Sequence, residues 1–174
     1  LRVLRAQLRA VTDPVRIRPA RVEDAEAMSA VLRQIIAVTG RERPSDRETV
    51  LARYIQHPAR LQCSVAQDAQ GRVLGFQSLS RAMAVNPYDV PEGWGIIGTH
   101  ISPQAHRLGI GKALFAASRQ AAIAAGLEKI DAYIGADNPA GLRYYEAMGF
   151  RTYREPAGIV QKCFVVTRAP SEAI

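Results

Sequence analysis

The segment from His100 to Leu114, HISPQAHRLGIGKAL, has the residue types and spacing to hold an anion. An apolar run ends at Ile101, Ser102-Pro103 breaks it, and helical spacing begins around Gly109. Gly109 and Gly111 carry no Cβ, so main chain can come close to a ligand there. The first N–H groups of the helix that follows have no acceptor within it, and the helix dipole makes that end positive. Several N–H groups aimed at one point suit a pyrophosphate, and the side chains of Arg107 and Lys112 can add charge. The segment is not a P-loop, because Gly111-Lys112 is followed by Ala113 rather than Ser or Thr. It is not a dinucleotide fingerprint either, since the triple-glycine spacing is missing and the motif sits mid-chain. Cys63 and Cys163 have no metal-ligand spacing. They are expected to be buried free thiols of a reducing compartment, and no metal is expected.

Several elements must position this segment. Val15–Arg18 alternates as a strand; Val22–Thr39 has helical spacing and stops at Gly40. Ser45, with Glu48 three residues on, predicts the cap of a second helix carrying Val50, Leu51, Tyr54 and Ile55 inward. Leu61–Gln67 and Val73–Ser80, joined by Asp68–Gly71, predict a hairpin. Trp94–Ile101, the helix Gly109–Ala125 and Lys129–Ile134 predict a βαβ crossover, with the two strands parallel and adjacent. Ile110, Leu114, Ala117, Ala121 and Ala124 would face inward. Asn138 caps a further helix with Pro139 at its first position, running to Met148 before Gly149. Phe150–Arg154 and Ile159–Thr167 are the last two strands.

The order β-α-α-β-β-β-α-β-α-β-β predicts one α/β domain over 15–167, with a central mixed sheet of six to seven strands. Residues 1–14 form a lead-in and 168–174 a tail. The chain has 174 residues, 48% hydrophobic and 22% charged, which is ordinary globular composition. Its formal charge of +7 comes mostly from arginine and favours anionic partners. The arginines are scattered, without a basic arm or an aromatic-rich strand motif, so nucleic acid is not an expected partner. No apolar run is long enough to span a membrane, no export signal is recognised, and a cytoplasmic location is expected.

His106-Arg107-Leu108-Gly109-Ile110-Gly111 resembles the Arg/Gln-x-x-Gly-x-Gly/Ala phosphate loop of the GNAT superfamily of acetyl-CoA-dependent N-acetyltransferases, with His106 in place of Arg or Gln. The run from Asn138-Pro139-Ala140-Gly141 through Tyr145 to Gly149-Phe150 is similar to that family's Asn-x-x-Ala-x-x-x-Tyr-x-x-x-Gly-Phe helix, with Gly141 for Ala. Ile17-Arg18-Pro19-Ala20 with Glu23-Asp24 resembles its first strand and helix, so the likeness spans about 15–167.

The resemblance implies a GNAT-like fold in which strands 94–101 and 129–134 splay apart. It puts the pantetheine arm of acetyl-CoA against His100 and Ile101, the pyrophosphate on residues 107–112 (Arg107, Leu108, Gly109, Ile110, Gly111 and Lys112), and Asn138 on the arm. Tyr145 matches the general acid, while Tyr144 falls on a different face. Glu92 and His100 are the candidates for the base. The acceptor pocket would be walled by residues 38–47, 81–93 and 154–160. There Arg41, Arg43, Arg81 and Arg154 could hold a carboxylate, and Trp94 could line the wall. The expected function is direct acetyl transfer to the amine of a small molecule or amino acid. A protein N-acetyltransferase and a catalytically silent acyl-CoA-binding module are the alternatives, and a homodimer is left open.

Overall fold

The computed structural model describes residues 14–105 and 108–167. Residues 1–13, which are all but Pro14 of the expected lead-in (1–14), the expected tail (168–174) and the pair His106–Arg107 lie outside the described residues. Seven strands form one sheet, ordered β1-β2-β3-β4-β5-β7-β6. They are β1 (Arg16–Pro19), β2 (Arg60–Gln67), β3 (Val73–Arg81), β4 (Gly95–Ile101), β5 (Lys129–Gly135), β6 (Arg151–Arg154) and β7 (Ile159–Val165). Every pairing is antiparallel except β4 with β5. The mixed α/β sheet and the parallel crossover are as the residue pattern predicts.

Two layers of helix cover the sheet. On one face lie α1 (Ala25–Thr39) and α2 (Arg47–Val50), the latter running into a wider turn over Leu51–Ile55. Met28, Val31, Leu32, Val50, Tyr54 and Ile55 pack there against Cys63, Val65 and Phe76. On the other face lie α3 (Ile110–Ala124) and α4 (Pro139–Ala147). There Phe115, Ala122, Tyr145 and Phe150 pack against Leu79, Ile97, Ile130, Ala132 and Ile134. Because β-strand side chains alternate, Ile97 and Thr99 of β4 face α3 and α4, whereas His100 faces Phe76 and Tyr54 under α1 and α2.

Two local expectations are corrected. The cap of α2 is Asp46, not Ser45: its carboxylate accepts from Thr49 N–H (3.0 Å) and Thr49 Oγ1 (2.6 Å), while the Ser45 carbonyl accepts from Ser29 Oγ. A carboxylate one residue later takes two donors at once, so it outcompetes the serine. On α3 the fully buried positions are Ile110, Leu114, Phe115, Ser118 and Ala122, with Ala121 only partly buried. The buried stripe is turned because Ser118 bonds a buried glutamine of β3, described below.

The entry to α1 is fixed by an ion pair. Arg18 of β1 makes two 2.7 Å bonds to Asp24, whose carboxylate also accepts from Arg21 N–H at 2.7 Å. These bonds hold the Asp24 carboxyl below the usual carboxylate range. A depressed carboxylate contributes stability above its unfolded pKa and loses it as pH falls. Asp24→Asn is expected to cost ~2 kcal/mol, between an exposed and a fully buried pair. That lowers the calorimetric midpoint by ~4–8 °C at pH 7. The gap to the native protein should narrow in acid, as Asp24 protonates.

Candidate active site

The parallel pair β4–β5 is joined over only part of its length. Gly95, Ile96 and Ile97 pair with Ile130, Asp131 and Ala132, and there the ladder stops. Gly98–Ile101 keep β3 as partner on one side, and Tyr133–Gly135 keep β7. Main-chain groups of the two strands that turn toward each other beyond Ile97 and Ala132 thus have no strand partner, and unpaired main chain of this kind is ready to bind a ligand. The result is a fork, closed at Gly95 and open at Ile101.

The start of α3 stands above the open end. Gly109 is its N-cap at φ +72°, in the left-handed region where glycine carries no penalty. The first bond inside the helix is Ala113 N–H to the Gly109 carbonyl at 3.1 Å. The amides of the preceding turn, Ile110, Gly111 and Lys112, therefore lie at the positive end without an i→i−4 acceptor. Leu108, Gly109 and Lys112 are exposed. His106 and Arg107 fall outside the described residues.

Gly111 has a further reason to lack a side chain. A Cβ there would meet the Tyr144 ring at 2.5 Å, and Tyr144 Oη donates to the Gly111 carbonyl at 2.7 Å. Tyr144 thereby fixes the glycine turn to α4. Sequence spacing marks it only as the neighbour of Tyr145. Gly141 is explained likewise: a Cβ there would meet the Asn138 amide at 2.6 Å, and Asn138 Oδ1 caps α4 by accepting from Gly141 N–H at 3.1 Å.

Tyr145 reaches the fork from below. It is buried, and its hydroxyl lies 2.7 Å from Thr99 Oγ1, one residue past Gly98 on the splayed part of β4. Behind them is Gln77 of β3, fully buried. Its Oε1 accepts from Ser118 Oγ (2.6 Å), and its Nε2 donates to Thr99 Oγ1 (2.9 Å) and Tyr144 Oη (3.0 Å). Counting donors fixes the directions as far as Thr99. Both amide protons of Gln77 are used, and Tyr144 spends its proton on Gly111. Between Thr99 and Tyr145 either hydroxyl can be the donor; when Thr99 donates, the Tyr145 proton is free for a group in the fork. Burial raises the Tyr145 phenol above its ordinary value, so it stays protonated at neutral pH.

These features, a half-zipped parallel pair, an unpaired helix N-terminus above it and a tyrosine at its floor, accompany a sequence match over residues 30–150 to the Acetyltransferase (GNAT) family. The chain belongs to that family. Among solved structures, a GNAT superfamily phosphinothricin acetyltransferase from Sinorhizobium meliloti, in complex with AcCoA, superposes with a TM-score of 0.71 at 21% identity, over 92% of this chain and 95% of the other. A GCN5-related N-acetyltransferase from Kribbella flavida superposes at 0.72 with 18% identity, over 87% and 97%. Mycothiol acetyltransferase of Paenarthrobacter aurescens (strain TC1) is 31% identical over 86 residues, which are 49% of this chain and 26% of that protein. The match thus spans about a quarter of that relative's length.

The remaining candidate residues divide into two groups. Arg41, Arg43 and His100 gather on the α1 side of the open fork. Arg43 lies 3.3 Å from His100 Nδ1 and 3.1 Å from Tyr54 Oη; Arg41 bonds the Asp137 carbonyl and lies 3.2 Å from its carboxylate. Burial, helped by the Arg43 charge, pushes His100 down to about 3, so it is a neutral imidazole at physiological pH.

Glu92, Arg81 and Trp94 stand at the closed end instead. The strand rises ~13 Å from Gly95 to Thr99, and Glu92, which is exposed, precedes Gly95. Arg81 donates to the Ala125 carbonyl at 2.9 Å, closing the C-terminus of α3. Trp94 packs beside Tyr153 and under Lys129. Arg154 ties down the loop before β4, donating to the carbonyls of Tyr88 (3.0 Å) and Asp89 (2.8 Å) and to the Asp89 carboxylate (3.1 Å). Neither cysteine is in a disulfide. Cys63 is buried, its thiol pushed up to about 12, and Cys163 is half-buried. No helix among the described residues is long and apolar enough to cross a membrane.

Proposed function

We propose that the chain transfers an acetyl group from acetyl-CoA to the amine of a small molecule, an amino acid being one candidate. The observation that carries this is the fork: β4 and β5 separate just where the α3 amides and the Tyr145 hydroxyl converge. Acetyl-CoA supplies an activated thioester. Main chain of β4 at His100 and Ile101 would hold the pantetheine arm, assisted by Asn138, and the amides of 108–112 would hold the pyrophosphate, with Lys112 and the sequence-predicted His106 and Arg107 beside them. Free β4 amides stabilise negative charge growing on the thioester oxygen, where one donor is typically worth ~2.7–4 kcal/mol. Tyr145 gives its proton to the departing sulfur, and Thr99 steadies the phenol oxygen. The phosphinothricin acetyltransferase among the structural neighbours favours a small acceptor, and Arg41 and Arg43 at the mouth of the fork offer charge for an acceptor carboxylate.

A thiol-release assay with acetyl-CoA across amino acids, polyamines, aminoglycosides and N-terminal peptides tests this reading. Release with a small amine and calorimetric binding of acetyl-CoA are expected. Release with peptides alone would move the acceptor class to proteins, and binding without release would leave a silent acyl-CoA module.

A further inference from the structure

On the sheet face opposite α3 and α4, at the foot of the fork, lies a carboxylate with no role so far. Asp131 of β5 is fully buried and pairs with Ile96, one residue below the last rung of the β4–β5 ladder. Its neighbours Ile130 and Ala132 point under α3 and α4, so its side chain points to the face that carries His100. One oxygen accepts from Tyr153 Oη at 2.6 Å and from Gln161 Nε2 at 3.1 Å; the other is buried with no partner. A half-satisfied buried carboxyl destabilises a fold, and such groups persist most often where function needs them. Tyr153 of β6, its bonded partner, is 39% exposed, so its phenol links the buried acid to a side chain that reaches the surface.

We propose that Tyr153, backed by Asp131, takes the proton from the acceptor amine. This deepens the acetyl-transfer reading above and rests on it. The phenol oxygen of Tyr153 accepts a proton from the ammonium nitrogen as its own proton passes to Asp131 Oδ2. The ammonium and the carboxylate become a neutral amine, its lone pair free for the thioester carbon, and a neutral carboxylic acid; Tyr153 ends as it began. After product leaves, the proton returns to water by the same two groups. Tyr153 is the catalytic residue of this step and Asp131 its positioning residue.

The two candidates named from sequence fit less well. Burial leaves His100 a neutral imidazole too weakly basic to take a proton near neutrality, and Glu92 is exposed. Burial raises the Asp131 carboxyl to about 6, against the opposing hydrogen bonds of Tyr153 and Gln161 and the Arg154 charge. The other titratable groups near it are Cys163 across the β5–β7 ladder, Lys129 two residues back on β5, and Tyr145 from beneath the sheet; Asp89 of the loop before β4 is held by Arg154. A base that loses its proton near 6 is free to act at pH 7.

The test is the pH profile of kcat/KM between pH 5 and 9, with the best acceptor from the amine panel, for the native protein, Asp131→Asn and Tyr153→Phe. Calorimetric acetyl-CoA binding and a melting curve accompany each. The native profile is expected to fall on the acid side with an apparent pKa near 6. Both variants should fold, bind acetyl-CoA within about twofold of native, lose ~10²-fold or more in rate, and show no acid limb. An acid limb near 6 that persists in folded Asp131→Asn, or a native rate in Tyr153→Phe, overturns the assignment. Should Asp131→Asn not fold, Tyr153→Phe decides by itself. Failure of the native protein to bind acetyl-CoA or release thiol overturns the acetyl-transfer reading, and this step with it.

Discussion

Tyr145→Phe is expected to lower kcat by ~10²-fold or more while acetyl-CoA affinity stays within about threefold. The hydroxyl ends a chain in which Ser118 donates to Gln77, Gln77 to Thr99 and Tyr144, and Tyr144 to Gly111, with Thr99 beside it at 2.7 Å. Removing it deletes a proton within reach of the fork but no packing, because the ring still meets Phe150 and Tyr144 edge-on at 5.1 and 4.9 Å. A positioned proton donor contributes typically 10²–10⁴-fold, and that loss falls on turnover rather than binding. Steady-state kinetics with calorimetry checks it. A kcat within threefold of native would remove Tyr145 from the reaction and leave it as a core aromatic.

Gly111→Ala should act on the opposite parameter. The new Cβ would lie 2.5 Å from the Tyr144 ring, so ring or turn must move. Overpacking of this kind costs typically ~1–3 kcal/mol. Moving Tyr144 also breaks its bond to the Gly111 carbonyl, which holds the turn whose amides face the ligand. Weakening of acetyl-CoA binding by ~10- to 100-fold is expected, at ~1.4 kcal/mol per decade. Tyr144→Phe, which keeps the ring and removes the hydroxyl, should weaken binding less. Equal affinity of native protein and Gly111→Ala would show that the turn needs no bare glycine.

Much of the fold could be read from residues, because strand alternation and helix punctuation are local. The Asn138-Pro139 start, the Gly40 stop and the hairpin around Asp68–Gly71 each rest on a few adjacent side chains, and they stand where predicted. The long-range part was hidden. Gln77 reads as a polar residue in an ordinary strand, and nothing near it in sequence says that Ser118, Thr99 and Tyr144 will use all its hydrogen-bonding groups. Asp131 likewise lies in an unremarkable strand, its partners Tyr153 and Gln161 brought in from another hairpin. Arg81 and Trp94 share a loop with the expected acceptor pocket, and strand direction places them at the closed end of the fork. Sequence neighbourhood sets what a residue can do, and sheet register sets whom it meets.

The α1–α2 connector joins the two splayed strands by side chains two residues apart. Arg43 rests on His100 of β4, and Arg41 grips Asp137 just past β5. Its two moorings are unequal. The Arg41–Asp137 pair is 38% and 82% exposed, so water and salt reduce it to ~1 kcal/mol or less. Arg43 is half-buried against an aromatic wall. The β5 mooring is therefore the weaker of the two, and added salt weakens it further while leaving the β4 anchor largely intact.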